Sequence, residues 1–154
     1  MNFHLSVITL DEASVVALNR AIEQEREVAM LDLLDANSFE VVGSDHGPYE
    51  LTLGVEEGRL VFGISRGGVD HARILLSLAP LRALIRDYWM VCESYYKAIR
   101  TATPQQVEAL DAGRKALHDE GATELRHRLH GKIETDFETA RRLFTLICVL
   151  QLRL

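Results

Sequence analysis

The sequence is poor in several features that would place it in a specialised class of protein. It has only two cysteines, Cys92 and Cys148, and both fall within apolar helical patterns. This is typical of small buried side chains and not of a disulfide framework or a thiolate metal site. The longest apolar run, at 143–150, is far shorter than the roughly 20 residues that cross a bilayer. Lys and Arg are outnumbered by Asp and Glu, 17 against 23, which disfavours nonspecific binding to nucleic acid or to an anionic membrane.

The motifs of the common enzyme classes are also missing. The chain contains no glycine-rich phosphate loop, no Gly-x-Ser-x-Gly nucleophile turn, no His-Glu-x-x-His motif and no paired Cys-x-x-Cys. His127 and His130 are three residues apart and His118 lies a few turns earlier, but this is not a zinc spacing, and Arg126 and Arg128 would repel a cation. We therefore expect no cofactor, no metal and no catalytic residue. These absences favour a protein that is not an enzyme, but they do not settle the question.

The features that are present fit one folded domain. The chain has 154 residues, with 47% hydrophobic and 26% charged content, which is ordinary for a globular protein. The first residues lack the basic segment and long apolar stretch of a secretory signal, so we expect a soluble cytoplasmic protein. No linker or repeat divides the chain. We predict a single domain over 1–154, mainly β with one helix over 1–76 and helical over 77–154.

Alternating apolar residues and turn signals dominate the N-terminal half. The clearest element is a hairpin, because two alternating segments flank Glu57-Gly58, a pair that is able to adopt positive φ. A second turn at Gly67-Gly68 returns the chain, which predicts a small antiparallel meander of four to five strands with one covered face. The predicted elements are strands at 3–10, 39–42, 49–56, 59–65 and about 70–76, and a helix near 20–36.

The C-terminal half changes to a helical period of 3.6 residues. We predict one helix over about 80–100 and a second that begins at Thr103-Pro104-Gln105-Gln106, where Thr is the N-cap and Gln follows three residues later. This second helix is expected to bend at Gly113 or Gly121 and to end by Gly131, and Thr135 or Asp136 caps a last helix. The predicted fold class is therefore α+β, with the meander packed against about four helices.

Arg114 is the charged residue that fits its surroundings least well. It shares a narrow helical stripe with Gly121, which permits close approach of another backbone, and His118 borders the same stripe. A guanidinium at such a position must reach water or meet an acceptor, because an unpaired buried charge is too costly. An internal salt bridge, an extended side chain and a ligand or partner contact all remain open. The apolar members of the stripe are Val107, Leu110, Leu117 and Leu125.

Three further residues complete the candidate binding set of Arg114 and His118. Arg141 and Arg142 precede the apolar part of the last helix, where they form either a grip for a carboxylate or phosphate or ordinary surface charge. Glu93 is either a tuned acid or base or simply part of an exposed face with an i, i+4 partner. The cations along its helix face are Arg82, Arg86, Lys97 and Arg100.

The last helix is apolar over much more than one face, so it is either the central element of the core or half core and half interface. In so small a domain the second alternative predicts a homodimer. Charge is also unevenly distributed: residues 1–96 hold 7 Lys/Arg and 15 Asp/Glu, whereas 97–154 hold 10 and 8. The helical half is therefore the better place for an acidic partner or an anion.

Several segments of the sequence are distinctive: LDEAS (10–14), NSF (37–39), GPY (47–49), RLVF (59–62), CESYYKAIRTATP (92–104), LHDEG (117–121), GKIE (131–134) and TARRLFTLICVL (139–150). Together they resemble Uncharacterised Protein Family 0262, a bacterial family known from alphaproteobacteria. The resemblance covers essentially the whole chain, and its motifs are specific to that family. It implies a bacterial source and an intracellular setting, and it carries over no activity, cofactor or catalytic residue.

Two functional hypotheses follow from these patterns. The first is a non-enzymatic cytoplasmic interaction or regulatory protein, a homodimer with a second protein as a further partner, which presents its helical half for recognition. The alternative is a protein, which could be an enzyme, that binds a small molecule or anion in a pocket between sheet and helices. Neither hypothesis involves a membrane, and the acidic charge disfavours a nucleic acid.

Overall fold

The computed structural model describes residues 2–11 and 20–150 of the chain. These residues form an α+β fold whose C-terminal half is mainly helical, which confirms the predicted fold class. The elements, in chain order, are β1 (Leu5–Leu10), α1 (Arg20–Asp35), β2 (Phe39–Val41), β3 (Tyr49–Glu56), β4 (Arg59–Arg66), β5 (Val69–Ser77), α2 (Ala79–Thr101), α3 (Pro104–Leu129), β6 (Ile133–Thr135) and α4 (Phe137–Leu150).

The main sheet has the strand order β1-β3-β4-β5. Strands β3, β4 and β5 form an antiparallel meander, which has three strands where the sequence predicted four to five. Glu57 and Gly58 at its first turn both have positive φ. Strand β1 adds to the other side of β3 in parallel, so the sheet is mixed. Parallel neighbours need a long crossover connection, and here the connection contains α1 and β2.

A second, two-stranded sheet pairs β2 with β6 in antiparallel fashion, with Phe39 opposite Thr135 and Val41 opposite Ile133. Strand β2 was expected from the sequence, but β6 was not. Its three residues follow the turn at Gly131 and are too few to show an alternating pattern. The pairing brings the end of α1 to the start of α4, where the Ser38 backbone N–H donates to the Thr139 hydroxyl over 2.9 Å.

One face of the main sheet is buried, as the alternation predicts. Leu51 and Leu53 of β3 lie opposite Ile64 and Phe62 of β4, and all four side chains are buried. They belong to one apolar core that also includes side chains from all four helices. The residues between them, such as Thr52, face away from this core.

Helix α4 is the central element of that core. Its residues 139, 140 and 143–150 are all buried, and it packs against both α1 and α3. A helix that is apolar over most of its circumference is expected to be largely surrounded by protein. Of the two alternatives that the sequence left open for this helix, the structure shows the first, so the breadth of its apolar surface does not require a dimer interface.

Helix α3 begins with the predicted capping box. The Gln106 backbone N–H donates to the Thr103 hydroxyl over 3.2 Å, and the Thr103 backbone N–H donates to the Gln106 side chain over 3.1 Å. The helix continues without interruption through Gly113 and Gly121. The neighbour that Gly121 admits is the Phe144 ring of α4, not a backbone, and a methyl group at Gly121 would overlap this ring.

The remaining helix features also follow from the sequence. Asp136 is the cap of α4, since its carboxylate accepts the Thr139 backbone N–H over 2.9 Å. Both cysteines are buried, and burial raises the pKa of Cys92 to about 12. In the described part of the chain, none of the helices has the length and apolar character needed to span a membrane.

Candidate functional site

Arg114 projects from α3 towards α1, where it meets Glu25. Its Nη1 donates to the Glu25 carboxylate over 3.1 Å, and both side chains are largely enclosed, with 21% and 11% of their surface exposed. The guanidinium also donates to Asp111 from Nε over 3.2 Å and from Nη2 over 2.7 Å. These bonds lower the pKa of Asp111. Of the three explanations that the sequence allowed for Arg114, the internal salt bridge is present.

Two tyrosines of α2 complete the coordination of Glu25. The hydroxyl of Tyr88 donates to Oε2 over 3.1 Å and that of Tyr96 donates to Oε1 over 2.7 Å. Burial, reinforced by the nearby carboxylate, raises the pKa of both phenols, so both stay protonated and able to donate. The guanidinium of Arg114 lies over the ring of Tyr95, with its carbon 5.0 Å from the ring centroid. Glu25 therefore connects three helices.

His118 lies one turn after Arg114 and is enclosed by aromatic rings, with its own ring 5.3 Å from Tyr88. Its Nε2 is 2.9 Å from the carbonyl oxygen of Arg141 and also contacts the Thr145 hydroxyl. Because a carbonyl only accepts, Nε2 carries the proton and Nδ1 is the acceptor nitrogen. Burial, together with the positive charge of Arg141, lowers the pKa of His118 to about 4. The imidazole is therefore neutral at pH 7.

The two arginines of α4 are matched by carboxylates. Arg141 approaches Asp119 to 2.9 Å and Glu138 to 3.3 Å, and its Nη2 is 3.5 Å from Nδ1 of His118. Arg142 approaches Glu138 to 2.6 Å and Asp32 to 3.3 Å. Both guanidinium groups are therefore already paired with carboxylates of the protein itself.

Glu93 is not part of this cluster. It pairs with Lys97 one turn further along α2 over 3.1 Å, and its side chain is 69% exposed. The structure thus brings together four of the five residues that the sequence identified and separates the fifth. Those brought together are Arg114, His118, Arg141 and Arg142.

Two cavities share the Glu25–Arg114 pair and Val28 as a common wall. The larger, about 500 Å³, lies among α1, α2 and α3, and we name it the α2-side cleft. The smaller, about 160 Å³, lies among α1, α3 and α4, and we name it the α4-side cavity. The cleft is lined by Gln24, Glu25, Val28, Tyr95, Tyr96, Ile99, Arg100 and Arg114. The cavity is lined by Glu25, Val28, Ala29, Asp32, Arg114, Lys115, His118, Arg141, Arg142 and Thr145.

Both cavities lie between helices. The alternative hypothesis from the sequence placed its pocket between the sheet and the helices, whereas these candidate residues line cavities between helices. The reason is that α1 covers the α3–α4 side of the helical half, so the polar side chains of α3 and α4 meet a helix and not the sheet.

Comparison with known proteins places the chain in a family. A family model described as Uncharacterised protein family (UPF0262) matches residues 2–153. The chain belongs to UPF0262. A UPF0262 protein of Phenylobacterium zucineum is 55% identical over 149 residues, which are 97% of this chain and 93% of that protein. One of Brucella anthropi is 54% identical over 154 residues, covering 99% and 96% of the two chains. One of Caulobacter vibrioides is 53% identical over 153 residues, covering 99% and 95%.

These matches confirm the resemblance seen in the sequence, and the relatives come from alphaproteobacteria, as that resemblance implied. No solved structure matches the chain. The names of these UPF0262 relatives state no activity, ligand or partner, so a functional proposal has to rest on the geometry of the site.

The residues of this UPF0262 chain that sequence analysis missed are Glu25 and the three tyrosines of α2. The rings of Tyr88, Tyr95 and Tyr96 fit the apolar period of the helix at 80–100, and that of Tyr88 is buried. A signal for the cluster was present, since a buried phenol needs a hydrogen-bond partner and three tyrosines on one helix face call for a polar neighbour. That this neighbour is Glu25 depends on tertiary structure.

Proposed function

We propose that this protein is a non-enzymatic binding protein that takes up a small organic molecule in the α2-side cleft. One observation carries the proposal: a preformed cleft of about 500 Å³ whose lining combines aliphatic side chains and tyrosine rings with an ordered polar cluster. Sites for small molecules typically combine mostly apolar walls with a few fixed polar groups. The cleft offers both kinds of group side by side, although its lining is more polar than usual, with four polar or charged side chains among eight.

The order of the polar cluster supports this assignment. Glu25 accepts from two phenols and a guanidinium, so its orientation is fixed before any ligand arrives. Fixed groups lose little conformational freedom on binding, which favours affinity. The walls, by contrast, leave apolar surface in contact with water, because Val28 is 46% and Ile99 is 52% exposed. Covering these two side chains would contribute a hydrophobic driving force.

The test is a binding screen with a cleft-filling variant. Small acids, amines and amides with aromatic or aliphatic bodies are screened by ligand-detected NMR against the wild-type chain, Ile99→Trp and Met90→Trp. Ile99 lines the cleft, whereas Met90 is an equally exposed apolar residue of the same helix outside it. We expect at least one compound to bind the wild type and Met90→Trp and to lose most of its binding with Ile99→Trp.

Two outcomes would count against the proposal. If no compound of the panel binds the wild-type chain, the cleft has no affinity for small organic molecules. If compounds bind and Ile99→Trp retains their affinity, the binding takes place elsewhere on the protein. Equal loss with both tryptophan variants would point to a general effect of the substitution and would also contradict the assignment.

The homodimer, the second protein partner and the cytoplasmic location that the sequence favours stay predictions. The apolar surface of α4 no longer supports a dimer, because it is internal. An exposed apolar row on α1 still favours an interface, and its most exposed member, Leu31, is 69% exposed. Analytical ultracentrifugation of the wild type and Leu31→Glu tests it. A dimer that dissociates in the variant supports this surface, and a monomeric wild type at micromolar concentration contradicts it.

A further inference from the structure

The charges around the α2-side cleft are compensated unequally. Glu25 is matched by two phenol donors and a guanidinium, and Arg114 is matched by two carboxylates. Arg100, at the last turn of α2, is exposed and forms no ion pair within residues 2–11 and 20–150. The lining itself holds two arginines and one carboxylate, that of Glu25, and the other carboxylate on Arg114, that of Asp111, also pairs with Lys115 over 3.1 Å. The charge that remains unbalanced in the lining is therefore positive. An anionic group on the ligand would restore the balance, whereas a cationic group would add to the imbalance.

Arg114 retains hydrogen-bonding capacity next to this cation. A guanidinium has five N–H donors, and three of those on Arg114 are used by Asp111 and Glu25. One N–H on each terminal nitrogen remains, and the side chain keeps 21% of its surface exposed. Two arginines that line one cleft thus offer N–H groups to an oxygen anion, and the planar fork of Arg100 suits a carboxylate in particular.

Glu25 argues against a cationic ligand in this cleft. Of the lone-pair sites on its two oxygens, three already accept hydrogen bonds, so little capacity remains for an ammonium group. The negative charge of Glu25 and of nearby Asp111 also limits the charge that an anion should carry. A phosphate monoester carries close to two negative charges at neutral pH and a carboxylate only one. One negative charge matches Arg100, the arginine of the cleft lining that forms no ion pair with the described residues.

We propose that the α2-side cleft binds an organic monocarboxylate with an aromatic or branched apolar body, an inference that rests on the proposed function and specifies its ligand class. The carboxylate is held by Arg100 and the remaining N–H groups of Arg114. The apolar body covers Val28 and Ile99 and packs beside the ring of Tyr95, one face of which is already occupied by the Arg114 guanidinium.

The experiment uses three probes that share one apolar body and differ in charge: phenylacetate, phenylacetamide and phenethylamine. Their dissociation constants are measured by NMR titration at pH 7 on the wild type, Arg100→Gln and Arg126→Gln. Arg126 is the matched control, since it is an exposed arginine of α3 outside the cleft. We expect phenylacetate to bind most tightly and to lose about tenfold in affinity with Arg100→Gln. Arg126→Gln should change its affinity less than about twofold.

The possible outcomes distinguish a failure of the monocarboxylate class from a failure of the proposed small-molecule site. If phenylacetamide or phenethylamine binds as well as phenylacetate, and Ile99→Trp removes that binding, the cleft is a binding site but the carboxylate class is wrong. If Arg100→Gln and Arg126→Gln weaken phenylacetate equally, net charge and not the cleft attracts the anion, which also overturns the inference. If none of the three probes perturbs residues of the cleft, the carboxylate class fails, and the broader panel decides whether the proposed function fails with it.

Discussion

The two sides of the Glu25–Arg114 pair differ in charge and in packing. On the α4 side, a cavity of about 160 Å³ is lined by four cationic side chains, each of which meets at least one carboxylate. On the α2 side, a cleft of about 500 Å³ has only two, and Arg100 is without an ion pair among the described residues. The number of arginines around a cavity is therefore a poor guide to anion binding. Whether a cavity attracts an anion depends instead on the charge in its lining that no ion pair within the protein neutralises.

The pair that separates the two sides gives the largest predicted effect. Arg114→Met removes the only cation bonded to Glu25 within the described residues, so we expect a loss of about 3 kcal/mol in the free energy of unfolding. Urea denaturation followed by Trp89 fluorescence measures it. Arg126→Met, which removes an exposed arginine from the same helix, should change stability by no more than about 0.5 kcal/mol.

If Arg114→Met lowers the free energy of unfolding by less than about 1 kcal/mol, Glu25 is well solvated and the residues shared by the two cavities are not tightly packed. The double variant with Glu25→Gln refines the result. Because the carboxylate is then absent, Arg114→Met should cost at least about 1 kcal/mol less in the Glu25→Gln background than in the wild type.

This pair also shows how far sequence analysis reaches. The helical stripe predicted that Arg114 needs an acceptor, because a periodic pattern places side chains on a face from local information alone. Its partner Glu25 lies 89 residues away, and no local pattern determines such a contact. The same limit explains the parallel pairing of β1, which depends on the crossover through α1, and the missed β6, whose partner β2 is far away in the chain. Hairpins and helix caps were predictable because their partners are neighbours in sequence.

The environment of His118 on the α4 side gives a pH dependence. Its pKa is lowered to about 4 from an ordinary value of 6.5, so the unfolded state takes up a proton at a higher pH than the folded state. The stability contributed by the neutral imidazole is complete above pH 6.5 and is lost as the pH falls towards 4. The expected loss is roughly 2–3 kcal/mol. Denaturation at pH 7 and pH 4.5 measures it, and His118→Gln should remove this part of the slope.

Exposed His127 on the same helix provides the control for this experiment. His127→Gln should leave the difference in stability between pH 7 and pH 4.5 as it is in the wild type. If His118→Gln and His127→Gln have the same pH dependence, the α4 side is not enclosed around the imidazole. The contrast between the two sides would then rest on the ion pairs alone.

Alanine substitutions at the two glycines of α3 allow a direct comparison of the packing on the α4 side and on the α2 side. Gly121 faces α4, where an added methyl group would overlap the Phe144 ring, so Gly121→Ala should cost about 2 kcal/mol. Gly113 faces α2, where the nearest atom to an added methyl is Cγ1 of Val91 at 3.8 Å, an ordinary contact. Gly113→Ala should therefore stabilise the helix by about 0.5–1 kcal/mol. Thermal and urea denaturation of both variants check the opposite signs, and equal signs would contradict the difference in packing.

The smallest predicted effect belongs to Glu93, which sets the baseline for an exposed pair. Glu93→Gln breaks the bond to Lys97, but both side chains are mostly exposed, so water screens their attraction and solvates the lysine that remains. We expect a change of about 0.5 kcal/mol or less, and weaker still in 1 M salt. A loss comparable with that of Arg114→Met would show that solvent exposure does not distinguish the two pairs. In that case the enclosed position of Glu25, on which the asymmetry between the cleft and the cavity depends, would have no energetic meaning.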